Sequence, residues 1–437
     1  MVSIDLIFAL VFYGCVLLFF FKTRKKWEVQ SGILALYRTN VGLRFMEKLA
    51  KHDTKKTKRI TGIVFFIIGT ILIIIGLLSS YMIITGSGII LFILGILVAI
   101  PLRWLGYAGI IVGFIGMAFI FVVLLISTFK LFFIENAQPG IAPVLPGVRV
   151  TGLPTLSFWH WIISIFILAV VHEFSHGILA RVHKVDVKSS GFGFLGPILL
   201  AFVEPDEKEI SQSSKKAQLS IFGAGPFSNI ILGALSILFF IFILGPVSNM
   251  ILEYDGIAVS GFTSNYPAEK SGLTLPLVIK SINGIETLEF GSFINATKEI
   301  TPDQKITLGT DKGVVEIKTV EDPKNSSRGF IGIEGLSQHT KTKENVSAFV
   351  GDFFKWFSLL VMWLFFINIG VGLFNLLPLG PVDGGRMFYV ASLAIFKNEK
   401  RAKKAWMIAM YLVLFLIFVN LIPWLSKLVN FITGLFS

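Results

Sequence analysis

Long apolar stretches, separated by short polar segments, run through most of the chain. Roughly 20 consecutive apolar residues cross the hydrocarbon layer of a membrane as a helix, and the pattern predicts eight such crossings. The predicted spans are residues 4–21, 60–84, 87–101, 106–128, 158–180, 218–245, 353–376 and 405–422. The pattern therefore indicates a polytopic α-helical membrane protein, with breaks expected at 85–88 and around 101–103.

Residues 250–345 have a different pattern, in which apolar and polar positions alternate over short runs. A period of two is typical of strands that bury one face. The predicted strands are residues 277–282, 305–309 and 313–318. Turn residues such as Asn283-Gly284 separate the runs, and residues 292–300 are expected to form a short helix. The segment is predicted to be a small β-rich domain that faces water.

Charge is sparse and follows the apolar pattern. Only 15% of the residues are charged, against about 25% in soluble domains, so much of the apolar surface must face lipid. Lys and Arg cluster at 22–59, 181–216 and 397–404, beside apolar stretches, where the positive-inside rule places cytoplasmic loops. The N-terminus and residues 250–345 are then expected on the outer side. These flanks account for the net charge of +12, and no nucleic acid partner is predicted.

The single cysteine, Cys15, limits the possible chemistry. It excludes a disulfide within the chain and argues against a thiolate metal site, so a bound metal must rest on His, Asp or Glu. Four of the six histidines lie in basic loops, near a predicted membrane interface or in the β-rich segment, and we assign none of them to a metal. These are His52, His160, His183 and His339.

The other two histidines form a His-Glu-x-x-His pattern, residues 172–176, inside a predicted span. Side chains four residues apart lie on one face of a helix, so His172 and His176 can bind one zinc ion. Glu173 can act as a general base toward water that the metal activates. The alternative is a pair of structural histidines beside a buried Glu. Ionisable residues inside a membrane are costly and usually functional, which favours the metal site.

A catalytic zinc site normally has a third protein ligand, and residues 375–385 offer one. This segment interrupts an apolar stretch with two prolines and two adjacent glycines, and irregular backbone at membrane depth persists only where protein or a cavity covers it. Asp383 is the candidate ligand. The alternative is a cytoplasmic turn with a solvated Asp, because Pro-Val-Asp-Gly-Gly is also typical turn chemistry.

Together, the two motifs resemble those of the site-2 protease family of intramembrane zinc metalloproteases. That family pairs a His-Glu-x-x-His helix with a later Asn-x-x-Pro-x-x-x-x-Asp-Gly motif, and both are complete here. The resemblance implies one zinc ion bound by His172, His176 and Asp383. It implies Glu173 as the catalytic acid and base, and Asn375 as a group that holds substrate or stabilises the oxyanion.

Residues 223–229 resemble a further family stretch, Gly-Pro-x-x-Asn, on the following core helix. The resemblance implies a direct role for Asn229. Close packing of small residues between membrane helices explains the stretch at least as well.

The resemblance divides the chain into four regions. Residues 1–150 are an N-terminal accessory transmembrane region with a basic cytoplasmic loop, and 151–249 and 346–437 are the two parts of the catalytic membrane core. Residues 250–345, inserted between them, are expected to be extracytoplasmic. Part of this insert, 266–284, resembles the PDZ family, which implies a PDZ-like domain that binds a substrate terminus or a partner.

The predicted function is that of an intramembrane zinc metalloendopeptidase that cleaves transmembrane segments of membrane proteins, as in regulated intramembrane proteolysis. Its partners are the lipid bilayer and a transmembrane protein substrate. The protein is expected to be a multi-pass protein of the cell membrane, with the active site toward the cytoplasmic side. The alternatives are a non-proteolytic PDZ-like scaffold and a divalent-metal carrier. Only the protease requires Glu173 as a base.

Residues 185–205 are rich in Gly and apolar residues and directly follow the His motif. One hypothesis is a hairpin or re-entrant loop whose edge pairs with an extended substrate. The other is a structural lid or an amphipathic surface loop.

Overall fold

The computed structural model describes residues 4–30, 34–53, 56–134, 137–148, 150, 153–195, 198–323, 325–380 and 382–434. The described residues fall into two compact units. One comprises those of Met1–Ile243 and Ser358–Ser437, and the other is Leu244–Phe357.

Within the described ranges, eight helices are long and apolar enough to cross a membrane. They are α1 (Ile4–Thr23), α3 (Lys56–Ser79), α4 (Met82–Ala99), α5 (Leu102–Phe133), α6 (Phe158–Val182), α8 (Lys215–Phe239), α12 (Ala348–Phe374) and α14 (Glu399–Gly434). The prediction of a polytopic α-helical membrane protein is confirmed.

The predicted break at 85–88 is wrong. The chain turns at Ser80 and Tyr81, and Gly86 and Gly88 lie inside α4. A Cβ at Gly88 would lie 2.6 Å from the backbone nitrogen of Ile73 on α3. Glycine is present because it lets the two helices approach closely. The second predicted break is confirmed, since Pro101 caps the start of α5.

Six shorter helices complete the helical part of the described chain. They are α2 (Leu43–His52), α7 (Glu207–Gln212), α9 (Gly245–Ile251), α10 (Pro267–Lys270), α11 (Phe290–Lys298) and α13 (Asp383–Phe396). A 3-10 turn at Arg24–Lys26 follows α1, and a π-helical turn at Phe240–Leu244 follows α8.

The first of the two units, which we call the membrane unit, also contains an antiparallel sheet of four strands in the order β1-β2-β3-β4. Its strands are β1 (Trp27–Gln30), β2 (Leu34–Thr39), β3 (Val187–Leu195) and β4 (Ile198–Pro205). Of the two hypotheses for residues 185–205, the structure agrees with the hairpin, which is present as β3 and β4. The first two strands lie in the segment that the sequence indicated only as a basic loop, so the sheet is larger than expected.

Glycine alternates with phenylalanine in β3 because the two faces of the sheet differ. The Phe192 ring packs with aromatic rings of Phe19 and Tyr37. On the opposite face, a Cβ at Gly191 would lie 2.6 Å from the Phe202 ring. Small residues on one face therefore make room for large side chains of the neighbouring strand.

The second unit is built on a sheet with the strand order β10-β9-β7-β5-β14. The strands of this unit are β5 (Leu252–Val259), β6 (Gly261–Phe262), β7 (Leu277–Ile282), β8 (Ile285–Glu286), β9 (Lys305–Thr310), β10 (Gly313–Lys318), β11 (Val320–Asp322), β12 (Asn325–Phe330), β13 (Ile333–Glu334) and β14 (Ser337–Thr342). The strands predicted at 277–282, 305–309 and 313–318 are confirmed, as is the short helix, which is α11. Their apolar positions, such as Ile279 and Leu308, form the core of this unit.

The core of the membrane unit lies around α8, which packs against α5, α6 and α13. A Cβ at Gly223 would lie 3.0 Å from the carbonyl oxygen of Gly109 on α5, so glycine permits this contact. Leu179, Ile221 and Met387 are buried in one cluster contributed by α6, α8 and α13. This packing brings both sequence motifs to the same region.

Candidate metal centre

The two imidazoles of the His-Glu-x-x-His motif lie on one face of α6. The Nε2 atoms of His172 and His176 are 3.2 Å apart, and both side chains are buried. This is the arrangement that four-residue spacing on a helix predicts.

Residues of α8 contact the far side of each ring. The Nδ1 of His176 lies 2.7 Å from the carbonyl oxygen of Ile221 and donates to it, which leaves its Nε2 as the free acceptor. The Nδ1 of His172 lies 2.9 Å from the side-chain nitrogen of Asn229. The Oδ1 of Asn229 has no hydrogen-bond partner among the residues that the structure describes. A half-turn of the amide would let Oδ1 accept from Nδ1 and would free Nε2 of His172 for a metal.

Gly225 on α8 provides the space in front of the two rings. A Cβ at this position would lie 2.4 Å from Nε2 of His176 and 2.5 Å from Nε2 of His172. No side chain larger than hydrogen fits without displacing the ring atoms that face the site.

Asp383 is the first residue of α13 and lies beside both imidazoles. Its Oδ2 is 3.1 Å from Nε2 of His172 and 3.3 Å from Nε2 of His176. The loop before it folds tightly onto the helix start, with the Gly384 nitrogen donating to the Asn375 carbonyl at 2.7 Å. A Cβ at Gly384 would lie 2.1 Å from the Leu376 carbonyl oxygen, and one at Gly385 would lie 1.7 Å from that of Leu379. The two glycines therefore permit the fold that presents Asp383.

The three atoms form a triangle whose size fits zinc. Its sides are 3.1, 3.2 and 3.3 Å. Tetrahedral ligands at the usual zinc distance of 2.0–2.1 Å would be about 3.3–3.4 Å apart. Two neutral imidazoles and a carboxylate are also a common zinc donor set. Among the residues that the structure describes, His172, His176 and Asp383 form a group of side chains close enough together to hold a metal ion.

The other two predicted site residues line the same cavity of about 1140 Å³ as the three candidate ligands. Glu173 is partly buried, and its Oε2 accepts a hydrogen bond of 3.1 Å from the backbone nitrogen of Val203 on β4. Asn375 directly follows α12 and lines the cavity with Asp383. The structure thus brings together all five residues that the sequence singled out.

Charged side chains line the part of this cavity formed by β4 and α7. Arg38 of β2 binds Glu204 through two nitrogens, at 2.9 and 2.7 Å, and Ser189 donates to the same carboxylate. The hydrogen bonds from Arg38 hold the pKa of Glu204 below its ordinary value, against the opposing effect of burial. This part of the cavity therefore carries charge at neutral pH.

Comparisons with known proteins agree with this geometry. The sequence model of peptidase family M50 matches residues 160–419, which include both motifs. The chain belongs to peptidase family M50. The prediction of site-2 protease membership is confirmed, and zinc is the metal that fits this family and the observed ligand triangle.

Three relatives differ in how much of their length is matched. An uncharacterized protein of Methanocaldococcus jannaschii is 32% identical over 227 residues, which are 51% of this chain and 54% of the relative. A Fusobacterium nucleatum protein, whose name assigns it provisionally to the zinc metalloproteases, is 25% identical over 60% of this chain and 91% of its own length. Zinc metalloprotease RasP of Shouchella clausii is 23% identical over 41% of this chain and 51% of the relative. The chain thus spans about half the length of two of these relatives.

The residues of α8 that contact the two imidazoles are poorly predicted by the sequence. Asn229 lies in the Gly-Pro-x-x-Asn stretch, which close helix packing explains at least as well. The contact of Ile221 with His176 is made by its backbone carbonyl, so the residue type at this position does not indicate it. What could have pointed to Asn229 is the cost of burying a carboxamide in a membrane helix without a polar partner.

Proposed function

We propose that this M50 member is an intramembrane zinc metalloendopeptidase that cleaves transmembrane segments of other membrane proteins. The observation that carries the proposal is the ligand triangle of His172, His176 and Asp383 in a cavity that Glu173 also lines. A metal carrier would need the triangle but has no use for a carboxylate held beside it.

The roles of the side chains follow from their positions. Zinc, when bound, supplies Lewis acidity that makes water nucleophilic near neutral pH. Glu173 has one oxygen on the Val203 nitrogen, so its other oxygen is available to take a proton from the attacking water. It would then deliver this proton to the leaving amine. Asn375 would donate from its amide to the developing oxyanion or to the substrate backbone.

A peptide bond in a helix is shielded by the helix's own hydrogen bonds, so the substrate must be extended before it is cut. Strand β4 is an edge strand of its sheet, and residues 200, 201 and 203–205 line the cavity. An edge strand offers unpaired backbone groups to an added strand. We infer that the substrate pairs with β4 and thereby reaches Glu173. Proline substitutions along this edge should abolish cleavage and leave zinc content unchanged.

The remaining assignments rest on charge and resemblance. The basic clusters favour a cell membrane protein whose metal centre lies toward the cytoplasmic side.

The PDZ-like resemblance of the second unit favours binding of a substrate terminus or a partner, which would restrict the substrates that are cut. A protein without residues 250–345 that keeps the same substrate range would contradict that role.

The decisive experiment separates metal binding from catalysis. The purified Glu173→Gln protein should retain about one zinc ion and lose cleavage of a single-span model substrate, because it keeps the ligands and lacks the base. Glu47→Gln, on the exposed surface of α2, is the matched control and should cleave normally. Asp383→Ala should lose zinc as well as cleavage.

Each outcome is informative. Cleavage by Glu173→Gln would remove this mechanism. If vesicles that contain the protein take up zinc, and the Glu173→Gln variant still does so, a divalent-metal carrier would be favoured. A scaffold would be favoured by two results together: the unmodified chain cleaves no substrate, and Asp383→Ala leaves binding of a partner unchanged.

A further inference from the structure

A second, smaller cavity adjoins the metal centre. It has a volume of about 260 Å³ and is lined by apolar side chains of α6, β3 and β4. The lining residues are Ile165, Phe166, Ala169, Phe192, Leu200 and Ala201. Four of them, residues 165, 169, 200 and 201, also line the cavity of the metal centre. The small cavity is therefore an apolar extension of the large one.

The sheet register explains why this space exists. Trp27, Tyr37, Phe192 and Ala201 lie opposite one another on the four successive strands. The first three rings pack together, with 5.3 Å between the centroids of Trp27 and Tyr37 and 5.2 Å between those of Tyr37 and Phe192. The row ends in alanine on the edge strand. A small side chain at this position, facing another alanine on α6, leaves room for one large side chain.

The backbone at Ala201 is placed to bind an added strand. The Val203 nitrogen points away from β3, because it donates to Glu173. Backbone groups two residues apart in a strand point to the same edge, so the N–H and C=O of Ala201 lie on this free edge as well. The Val203 side chain faces Gly177 of α6, and side chains two residues apart share a face. The Ala201 side chain thus faces α6 and the small cavity.

We propose that the small cavity is a specificity pocket, which takes one large apolar side chain, such as Phe or Leu, from an extended substrate paired with β4. This inference rests on the proposed function. The side chain belongs to the substrate residue opposite Ala201 and continues the aromatic row by one position. Its neighbours on either side point to the other face of the added strand, so the preference is confined to a single position.

Binding to a catalytically silent protein tests the pocket independently of cleavage. The probe is an Ala-rich single-span peptide of about 25 residues, with a central Gly pair and one Phe moved through the central positions. Its affinity is measured with the full-length Glu173→Gln protein in lipid nanodiscs. At one position, Phe should bind about tenfold or more tighter than Ala, because it buries its ring in the pocket.

Two variants fill the pocket from opposite sides. Ala201→Phe on β4 and Ala169→Leu on α6, each in the Glu173→Gln background, should abolish the preference for Phe and still bind the all-Ala peptide. Retained binding of the smaller peptide shows that the variants fold. The matched control is Ala409→Phe, which places the same ring in a separate apolar cavity formed by α5, α13 and α14. This control should keep the preference.

The inference is overturned if no position prefers Phe, or if the preference persists in both pocket variants. Failure of the proposed function has a different signature. In that case the unmodified chain cleaves none of the peptides, while the Phe preference and its loss in the pocket variants remain.

Discussion

Asn229 on α8 contacts His172 on α6 through its side chain, with 2.9 Å between the amide nitrogen and Nδ1, and both residues are buried. With the amide turned so that its Oδ1 accepts from Nδ1, this contact leaves Nε2 of His172 unprotonated toward the metal centre. Bonds of this kind orient metal-binding histidines and fix their tautomer. We therefore predict that Asn229 is a positioning residue, which acts through His172 and does not reach the metal site itself.

We predict that Asn229→Ala weakens zinc binding by about 10- to 100-fold, because His172 loses the group that holds its tautomer. Asn229→Asp should restore most of the affinity, since a carboxylate accepts from Nδ1. Competition with a chelator of known affinity measures both. Ser228→Ala is the control, because this neighbouring hydroxyl binds backbone carbonyls. If Asn229→Asp bound zinc as weakly as Asn229→Ala, the contact would be only structural.

Gly225 should tolerate no side chain. A methyl group there would lie within 2.5 Å of both Nε2 atoms, so Gly225→Ala is expected to abolish stoichiometric zinc binding. The control on the same helix is Gly233→Ala, whose methyl group would meet the flexible end of the Ile369 side chain. That variant should keep its zinc. Metal analysis of both purified proteins checks the prediction, and a Gly225→Ala protein with full zinc content would contradict the ligand triangle.

The residues of the metal centre that lie within one helix were predictable from the sequence. The contacts between segments distant along the chain were not. His172, Glu173 and His176 lie within one helix, so the sequence determines their spacing directly. Asp383 is distant along the chain, and only the need for a third ligand and the family resemblance connected it to them. The contact of Asn229 with His172 depends on how two helices pack, which no local pattern encodes.

The sheet and one helix boundary show the same limit. Strands β1 and β2 pair with each other, and β2 also pairs with β3 in a remote segment, but both are short and lie among basic residues. Alternation within 277–282 and 313–318 was a stronger signal because recognisable turn residues adjoin each run. The prediction of a break at Gly86 and Gly88 is wrong because glycine occurs both in turns and where helices pack closely.

The predicted orientation can be tested with the single native cysteine removed. In a Cys15→Ser background, Lys298→Cys in the second unit should react with a membrane-impermeant maleimide on intact cells. Lys400→Cys, in a basic cluster, should react only after permeabilisation, because the positive-inside rule places that cluster in the cytoplasm. Reaction of Lys400→Cys on intact cells would reverse the topology, and with it the side from which water reaches the metal centre.

Acidification should release the Glu204 carboxylate from Arg38. The folded pKa of Glu204 is lowered by Arg38, so the stabilisation is complete above the ordinary glutamate value of 4.5 and is lost as the pH falls through the lower folded value. Glu204→Gln, which lacks this charge, should therefore show a constant deficit in thermal stability from pH 7.5 to about 5.5 and a shrinking deficit below about 4.

The size of this deficit is limited by solvent. The side chains of Arg38 and Glu204 are 37% and 31% exposed, and pairs this open to water contribute about 0.2–1 kcal/mol. Hydrogen exchange at the backbone of β4, followed against pH, is a local measurement that resolves so small a change. Glu253→Gln, which removes one of two acidic partners of Lys341 in the second unit, is the control and should leave exchange in β4 unchanged. If the protection of the β4 amides in the unmodified chain, measured relative to their intrinsic exchange rates at each pH, were the same at pH 3.5 and pH 7, Arg38 and Glu204 would not hold the edge strand beside Glu173.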